Sequence, residues 1–418
     1  VSVRRRAFTS WKCDCRVWPL ADSRFLLKSD AAESGRKEKV KITDVVCHIL
    51  SCKVDKPFVS ARGWVYGTRS TCLVEISTDE GITGWGECYG PAAVAKTFIE
   101  TQYKARVVGK DPFDVEAIWE DLYNRIKDYG TTGMAISAIS GIDIALWDIM
   151  GRAVGKPVHK LIGGAYRTEV IAYATGLYFI DMNRLIDEAV EEALEFKSDG
   201  FQAIKMKIGL GDLKLDARRV TAVREAIGPD VKLAVDANHC FSVPNAIKLG
   251  RMLEDQDILW FEEPISPEDH DGYIEVTRAL DMAVAGGEND FTRWGFRDVI
   301  AKKAMDIVQP DLCAAGGFSE CRKIATLASA FGVECVPHAW GSAIGLAATV
   351  QFLAALPDQP PAFRPMPPML EFEQTPNPLR DHLAQEPIEQ KKGIVAVPTG
   401  PGLGIEIDRE VLKKYKVG

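Results

Sequence analysis

From Val40 onward the hydrophobic positions fall into two regimes. The first is short-period. Lys41–Leu50, Thr71–Ser77 and Ile82–Glu87 alternate apolar and polar residues, and Asp79-Glu80-Gly81 supplies a turn between the last two. That pattern predicts an antiparallel meander. Helical spacing follows in Ala92–Val108, Pro112–Lys127 and Met134–Arg152, where Ile139, Ile142, Ala145, Leu146 and Ile149 line one face. Together these predict a small α+β domain over residues 40–165. The second regime alternates short β-rich runs with amphipathic segments. Val170–Thr175, Ala203–Ile208, Lys232–Asp236, Ile258–Glu262, Ala283–Gly287, Ile307–Gln309, Glu334–Pro337 and a last run near Pro365–Leu370 are separated by helices such as Leu185–Phe196 and Ser319–Phe331. Strands alternating with helices imply a parallel sheet, and this many units imply a (β/α) barrel over residues 166–371. Residues 372–418 form a C-terminal segment.

The barrel assignment makes the strand ends the place to look for chemistry. In order they carry Lys205 and Lys207, Asp236, Glu262, Glu288, Asp311 and His338, at steps of 29 (from Lys207), 26, 26, 23 and 27 residues. Each step is one βα unit, so the six ends converge on one mouth. One acid at a strand end more often caps a helix or pairs with a lysine. Three at matched positions supply oxygen-only ligands with open sites, which suits Mg²⁺. Lys205 and Lys207 share a strand face about 7 Å apart. Their repulsion, about 2.4 kcal/mol at an effective dielectric of ~20, is expected to lower one pKa and make a base, opposed by the nearby carboxylates and supported by the metal. Asp311 can hold His338 in one tautomer as a second acid or base. Lysine on one side, histidine on the other and a metal between them fit proton abstraction next to a carboxylate, with an enediolate stabilised where its charge develops.

Around these, Asn238 shares the face of Asp236 and Trp340 follows His338 by two, so both are expected to line the substrate pocket. His239 points away, as a core or interface residue. The segment Phe58–Thr68, with Ser60, Arg62, Trp64 and Tyr66, is expected to be a loop able to close over substrate, with Trp64 against it. Gly316-Gly317 reads as a βα turn. Gly400–Gly404 precedes no long helix and reads as a loop.

Composition narrows the alternatives. The 418 residues carry 51 basic and 59 acidic side chains, net -8. Residues 1–40 hold ten basic and five acidic residues, a local +5 that leaves -13 on the rest. Residues 1–39 show no clear period and are expected to be a disordered extension. An acidic chain without a basic stripe is not expected to bind nucleic acid. No run of about 18 uncharged apolar residues exists, so no membrane association is expected. Ten scattered cysteines without a CxxC pair point to reduced thiols and a cytoplasmic protein.

Ala203-Ile204-Lys205-Met206-Lys207, Val235-Asp236-Ala237-Asn238, Trp260-Phe261-Glu262-Glu263-Pro264, Gly286-Gly287-Glu288, Gln309-Pro310-Asp311 and Val336-Pro337-His338 resemble, in order and spacing, the mandelate racemase subgroup of the enolase superfamily. The resemblance covers about residues 40–410. It implies a capping domain, a modified barrel and a C-terminal segment returning to the cap. It implies Mg²⁺ on Asp236, Glu262 and Glu288, Lys207 as one base with Lys205 as its electrostatic partner, and His338 oriented by Asp311 as the other. Met369-Leu370-Glu371 looks like the family's glutamate that donates a hydrogen bond to the substrate carboxylate. The muconate-cycloisomerase branch has a lysine at the sixth strand, unlike this chain. Gly141–Asp148, Asp236–His239, Pro310–Cys313 and Gly400–Ile407 look like the acid-sugar and galactarolactone cycloisomerase group, whereas Asn289-Asp290 departs from it. The implied reaction is β-elimination on an acid sugar or its lactone by a homo-oligomer. Racemisation of a 2-hydroxy acid, and a barrel that binds metal and ligand without catalysis, remain the alternatives.

Overall fold

The computed structural model describes residues 40–363 and 365–417; the segment expected to be a disordered extension lies outside them. Strands β1 (Ile42–Val59), β2 (Val65–Thr78) and β3 (Thr83–Cys88) form the antiparallel meander, in that order. β1 and β2 run further than the alternation indicated. Phe58 and Val59 still pair with Tyr66 and Val65 beyond a register shift after Lys53. Only residues 60–64 are loop, so Phe58 and Tyr66 of the expected loop stand in strands.

The helix Met134–Val154 packs under β3 at backbone contact. A Cβ on Gly86 would lie 1.8 Å from the Gly141 carbonyl oxygen, so both positions require glycine. This helix is apolar and long enough to cross a bilayer, but 89% of its most apolar stretch is buried within the protein. It is a core helix. Its two acids are spent on neighbours. Asp148 accepts from Trp85 N at 2.9 Å and Leu403 N at 2.8 Å, and Asp143 accepts from Ser319 N at 3.1 Å.

Eight parallel strands follow: β4 (Glu169–Gly176), β5 (Ala203–Lys207), β6 (Lys232–Asp236), β7 (Ile258–Glu262), β8 (Val284–Gly286), β9 (Ile307–Val308), β10 (Glu334–Cys335) and β11 (Leu370–Glu373). Each of β4 to β9 pairs in parallel with the next, and β11 pairs back onto β4. Among the described residues no ladder joins β10 to β11. The eighth strand begins later than the sequence suggested, because the proline-rich approach Pro365–Pro368 has few N–H donors. The limit drawn at residue 371 therefore falls inside β11.

A belt of side chains fills the inside of the ring. Tyr173, Ala203, Ala234, Trp260, Ala285, Ile307, Val336 and Met369 form one buried cluster, one residue from or beside each strand. Two large aromatic rings and three alanines fill the cross-section by alternation of size. Strand side chains repeat every second residue, so whatever stands two positions further on faces the space directly above this belt.

After β11 the hairpin β12 (Gln390–Lys391) and β13 (Ile394–Ala396) pairs with the start of β4. The final helix Arg409–Tyr415 then reaches the meander. Lys416 bridges Leu50, and Arg409 bonds Glu75 at 2.7 Å. Glu75 also accepts from His48 at 2.7 Å. Burial raises its pKa, but His48 and Arg409 outweigh burial and bring it to about 2.

Two tests follow from this packing. Gly86→Ala is expected to lower stability by about 3 kcal/mol or more, read by chemical denaturation, because backbone faces the added methyl. Glu75→Gln is expected to cost about 1–2 kcal/mol at pH 7, discounted for the exposure of Arg409. A depressed carboxylate pKa stabilises above its unfolded value, so this difference is fully present above pH 4.5 and fades as pH falls toward 2.

Candidate active site

Two positions above the apolar belt stand Thr175, Lys205, Asp236, Glu262, Gln309, His338 and Glu371, all buried. The period of two along each strand sets this tier, since each member stands two residues beyond its belt residue. A further two positions on stand Lys207, Asn238, Asp311, Trp340 and Glu373. Glu288 comes from just beyond β8. The strand-end residues read from the sequence are thus brought into one basin.

The contacts are dense. Lys205 Nζ bonds a Glu262 oxygen, lies 2.9 Å from Glu371 Oε1 and 3.8 Å from Asp236 Oδ2. Lys207 Nζ bonds Asp236 Oδ2. Glu262 Oε2 accepts from Trp260 Nε1 at 2.9 Å and Gln309 Nε2 at 2.8 Å. On the opposite side His338 Nδ1 is 2.6 Å from Asp311 Oδ2, and Nε2 faces Glu288 Oε2 at 3.5 Å and Glu371 Oε2 at 3.9 Å. Glu371 also accepts from Thr175 Oγ1 at 2.7 Å and Ala339 N at 3.2 Å. Tyr89 meets the His338 ring edge-on at 5.7 Å.

In the lysine pair the opposing carboxylates prevail. Burial disfavours charge on Lys205, but Glu262 and Glu371 override it and raise its pKa. Lys207 is raised likewise, with Asp236 outweighing burial and the repulsion of Lys205. The repulsion between lysines is real, but contact with carboxylates is closer and wins. Glu371 departs from expectation. Against burial, Lys205 and His338 hold it near 2, and in this arrangement it accepts hydrogen bonds from Thr175 and Ala339. Asp236 is held near 2 by Lys207 and Lys205 against burial. Burial first, then the neighbouring acids, lift Glu262 to about 7. Burial opposes the charge on His338, and Glu288, Glu371 and Asp311 together raise it to about 10.

The expected pocket residues divide. Asn238 lies on Asp236, its backbone N donating to Oδ1 at 2.8 Å, and its own Oδ1 is buried without a partner. Trp340 packs in the cluster of Tyr66, Phe58 and Tyr178, 5.0 Å from Tyr66. Trp64 is not brought in: its ring is 55% exposed, against Arg62 at 5.1 Å. A residue at the apex of a tight two-strand turn is carried outward, while Tyr66 in the strand turns inward. His239 is half-buried and faces the cap, 3.2 Å from Arg62. Thr175, Trp260, Gln309 and Glu263 escaped the sequence reading. The first three were accessible to it, since Trp260 and Gln309 sit two before Glu262 and Asp311, and Thr175 ends β4. Asn289 donates to Glu263 at 2.7 Å, which accounts for one position of the departing Asn289-Asp290 pair.

Among the described residues no group of three or more His, Cys, Asp or Glu side chains is close enough to form a closed cation cage. The lysine ammonium groups lie between the carboxylates instead. The donor set nevertheless fits a divalent cation. The six carboxyl groups of Asp236, Glu262, Glu263, Glu288, Asp311 and Glu371 are met by three cationic side chains, Lys205, Lys207 and His338, so the acids outnumber the cations by three, and burial raises the pKa of Glu262, Glu263 and Glu288 in response. Glu263 Oε2 is buried with no partner.

Residues 42–163 match the N-terminal domain of the mandelate racemase/muconate lactonizing enzyme family, and residues 188–411 match the enolase C-terminal domain-like family. The chain is 46% identical over 379 residues to a D-galactarolactone cycloisomerase of Agrobacterium fabrum, covering 90% of this chain and 99% of that one.

This chain belongs to the mandelate racemase subgroup of the enolase superfamily.

Within that superfamily it is also 38% identical to an arabinonate dehydratase of Saccharolobus solfataricus, over 87% of this chain and 95% of that one. A solved racemase from Streptomyces coelicolor with bound magnesium superposes with a TM-score of 0.81 at 31% identity, covering 90% of this chain and all of that one. Superfamily members use Mg²⁺.

The electrostatics of the basin can be tested directly. Asp311→Asn is expected to lower the His338 pKa by about one unit or more, followed by NMR of the imidazole, because one of three facing carboxylates is neutralised.

Proposed function

We propose that this protein is an acid-sugar lyase or cycloisomerase that removes the proton α to a carboxylate and then eliminates the β-oxygen. The observation that carries the reading is the two-sided basin. Lys205 and Lys207 stand on one side, the His338–Asp311 pair on the other, and carboxylates from adjacent strands lie between.

Asp236, Glu262 and Glu288 would hold Mg²⁺, a reading supported by their oxygen donors on adjacent strand ends. When bound, the cation supplies Lewis-acid stabilisation of the substrate carboxylate and takes up the negative charge that otherwise binds the lysines. The chain's own groups do the rest. Lys207 withdraws the α-proton once Asp236 no longer holds its ammonium form. Lys205, kept cationic by Glu371, offsets the negative charge that develops on the substrate. Asp311 fixes the His338 ring through Nδ1 and leaves Nε2 facing the basin, from where it protonates the departing β-oxygen. Glu371 aligns Lys205 and His338 from their own tier. With an aldonate or aldarate the β-oxygen leaves as water. With an aldarolactone it is the ring oxygen, and the ring opens. Tyr178 lies beside the Lys207 ammonium at 5.3 Å, and Tyr66 and Trp340 continue that aromatic wall. Residues 40–165 act as the cap, 166–371 as the barrel, and 372–418 ties the two together. All eight described cysteines are unpaired, in keeping with a reducing compartment such as the cytoplasm.

Incubation in D₂O with Mg²⁺ and a library of aldonates, aldarates and aldarolactones, followed by NMR, tests this reading. Loss of the α-proton signal together with a 3-deoxy-2-keto product is expected. Lys207→Met should abolish both, and His338→Asn should lower product formation about 10²- to 10⁴-fold while exchange persists. Exchange without product would instead identify a racemase or epimerase. Metal binding with no exchange for any acid would favour a non-catalytic barrel.

A further inference from the structure

His338 and Glu371 face each other across the one seam of the barrel where, among the described residues, no strand ladder runs. Elsewhere in the ring backbone hydrogen bonds set the spacing of neighbouring strand ends. Between β10 and β11 that spacing must be set by side chains. Three crossings are present. Ala339 N donates to Glu371 Oε2 at 3.2 Å, and Asn377 Nδ2 donates to the Gly341 carbonyl at 2.9 Å. The third comes from outside the barrel.

Arg69 on β2 is 4% exposed and places its guanidinium across the seam. Its edge engages β11 and the residues after it. One terminal nitrogen bonds the Glu373 carboxylate and Thr375 Oγ1, and Nε donates to the Pro376 carbonyl at 3.2 Å. Its face lies 4.2 Å from the Trp340 ring, two residues beyond His338, with Phe58 5.2 Å away. Glu373 is two residues beyond Glu371, so both ends of the bridge are equally close to a site residue. Arginine alone can offer a planar edge and a planar face at once. A buried arginine–glutamate pair can also serve stability alone, and Arg380 Nη1 gives Glu373 a second cation at 3.5 Å.

We propose that Arg69, a residue of the cap, is a positioning residue that clamps the β10–β11 seam and so sets the placement of His338 relative to Glu371 and the substrate. The proposal rests on the reading of His338 as the acid of the elimination step. It makes the cap a part of the catalytic geometry rather than a cover only.

The two halves of the reaction separate a positioning role from a structural one. Lys207 stands on β5, with β4 between it and β11, and its ammonium is held by Asp236 of β6 rather than by a residue of the clamp, so Arg69→Lys should leave α-proton exchange within about 3-fold of wild type. Product formation should fall roughly 10- to 100-fold, a change in kcat more than in KM. Glu373→Gln, which keeps the shape and removes the charge, should show the same pattern more weakly, and it carries the test if Arg69→Lys does not fold. Exchange and elimination falling together, or a lowered melting temperature with both rates unchanged below it, would overturn the proposal. If the wild-type protein neither exchanges nor eliminates with any acid, the functional reading fails. Amide hydrogen exchange then decides the clamp separately: residues 336–342 should lose protection in Arg69→Lys, and unchanged protection there would refute it.

Discussion

Carboxylates removed from water cost several kcal/mol each unless cations or N–H donors stand at bonding distance. Six of them line the mouth of this barrel, and three cationic side chains face them. This imbalance governs the site. It draws Lys205 and Lys207 onto the acids, keeps Asp236 and Glu371 ionised and drives Glu262 toward neutrality. A divalent cation redresses most of the deficit. The same excess of negative charge is what the proposed Mg²⁺ site would draw on, and it holds the two lysines on the acids in this arrangement.

Geometry makes that concentration of charge possible. The apolar belt of Tyr173, Trp260, Ile307, Val336, Met369 and three alanines seals the barrel below the basin. The period of two then delivers one polar residue per strand to the next tier. β8 is the exception: Gly287 occupies its place in the tier, and Glu288 reaches the basin from the loop beyond. Above, the cap closes on the barrel through buried polar contacts. Glu87 of β3 accepts from Ser342 and Gly345 at the start of the helix Ala343–Ala355, with the Gly345 N–H at 2.8 Å. Arg69 extends this logic into the seam beside His338.

Much of this was legible in the residues alone. Regular steps between acidic and basic strand ends located the basin, because a parallel barrel converts sequence period into spatial convergence. Thr175 and Gln309 carry no charge, so a search for titratable groups passed over them, although position relative to the belt identifies them. Trp64 was misplaced because composition does not reveal where a hairpin turns, and a one-residue change reverses the side-chain direction. The pKa directions of the lysines could not be read from their spacing along β5. They depend on carboxylates arriving from β6, β7 and β11, whose distances only the folded ring defines. Arg69 is invisible to local pattern for the same reason, since its partners lie more than 270 residues away.

Crystallography with Mn²⁺ in place of Mg²⁺, read by anomalous scattering, tests the central claim most directly. The account requires one strong peak bounded by Asp236, Glu262 and Glu288, with the Lys205 and Lys207 ammonium groups withdrawn from Glu262 and Asp236. Crystals soaked in Mn²⁺ that hold no ion there, with both lysines still on their carboxylates, would contradict it.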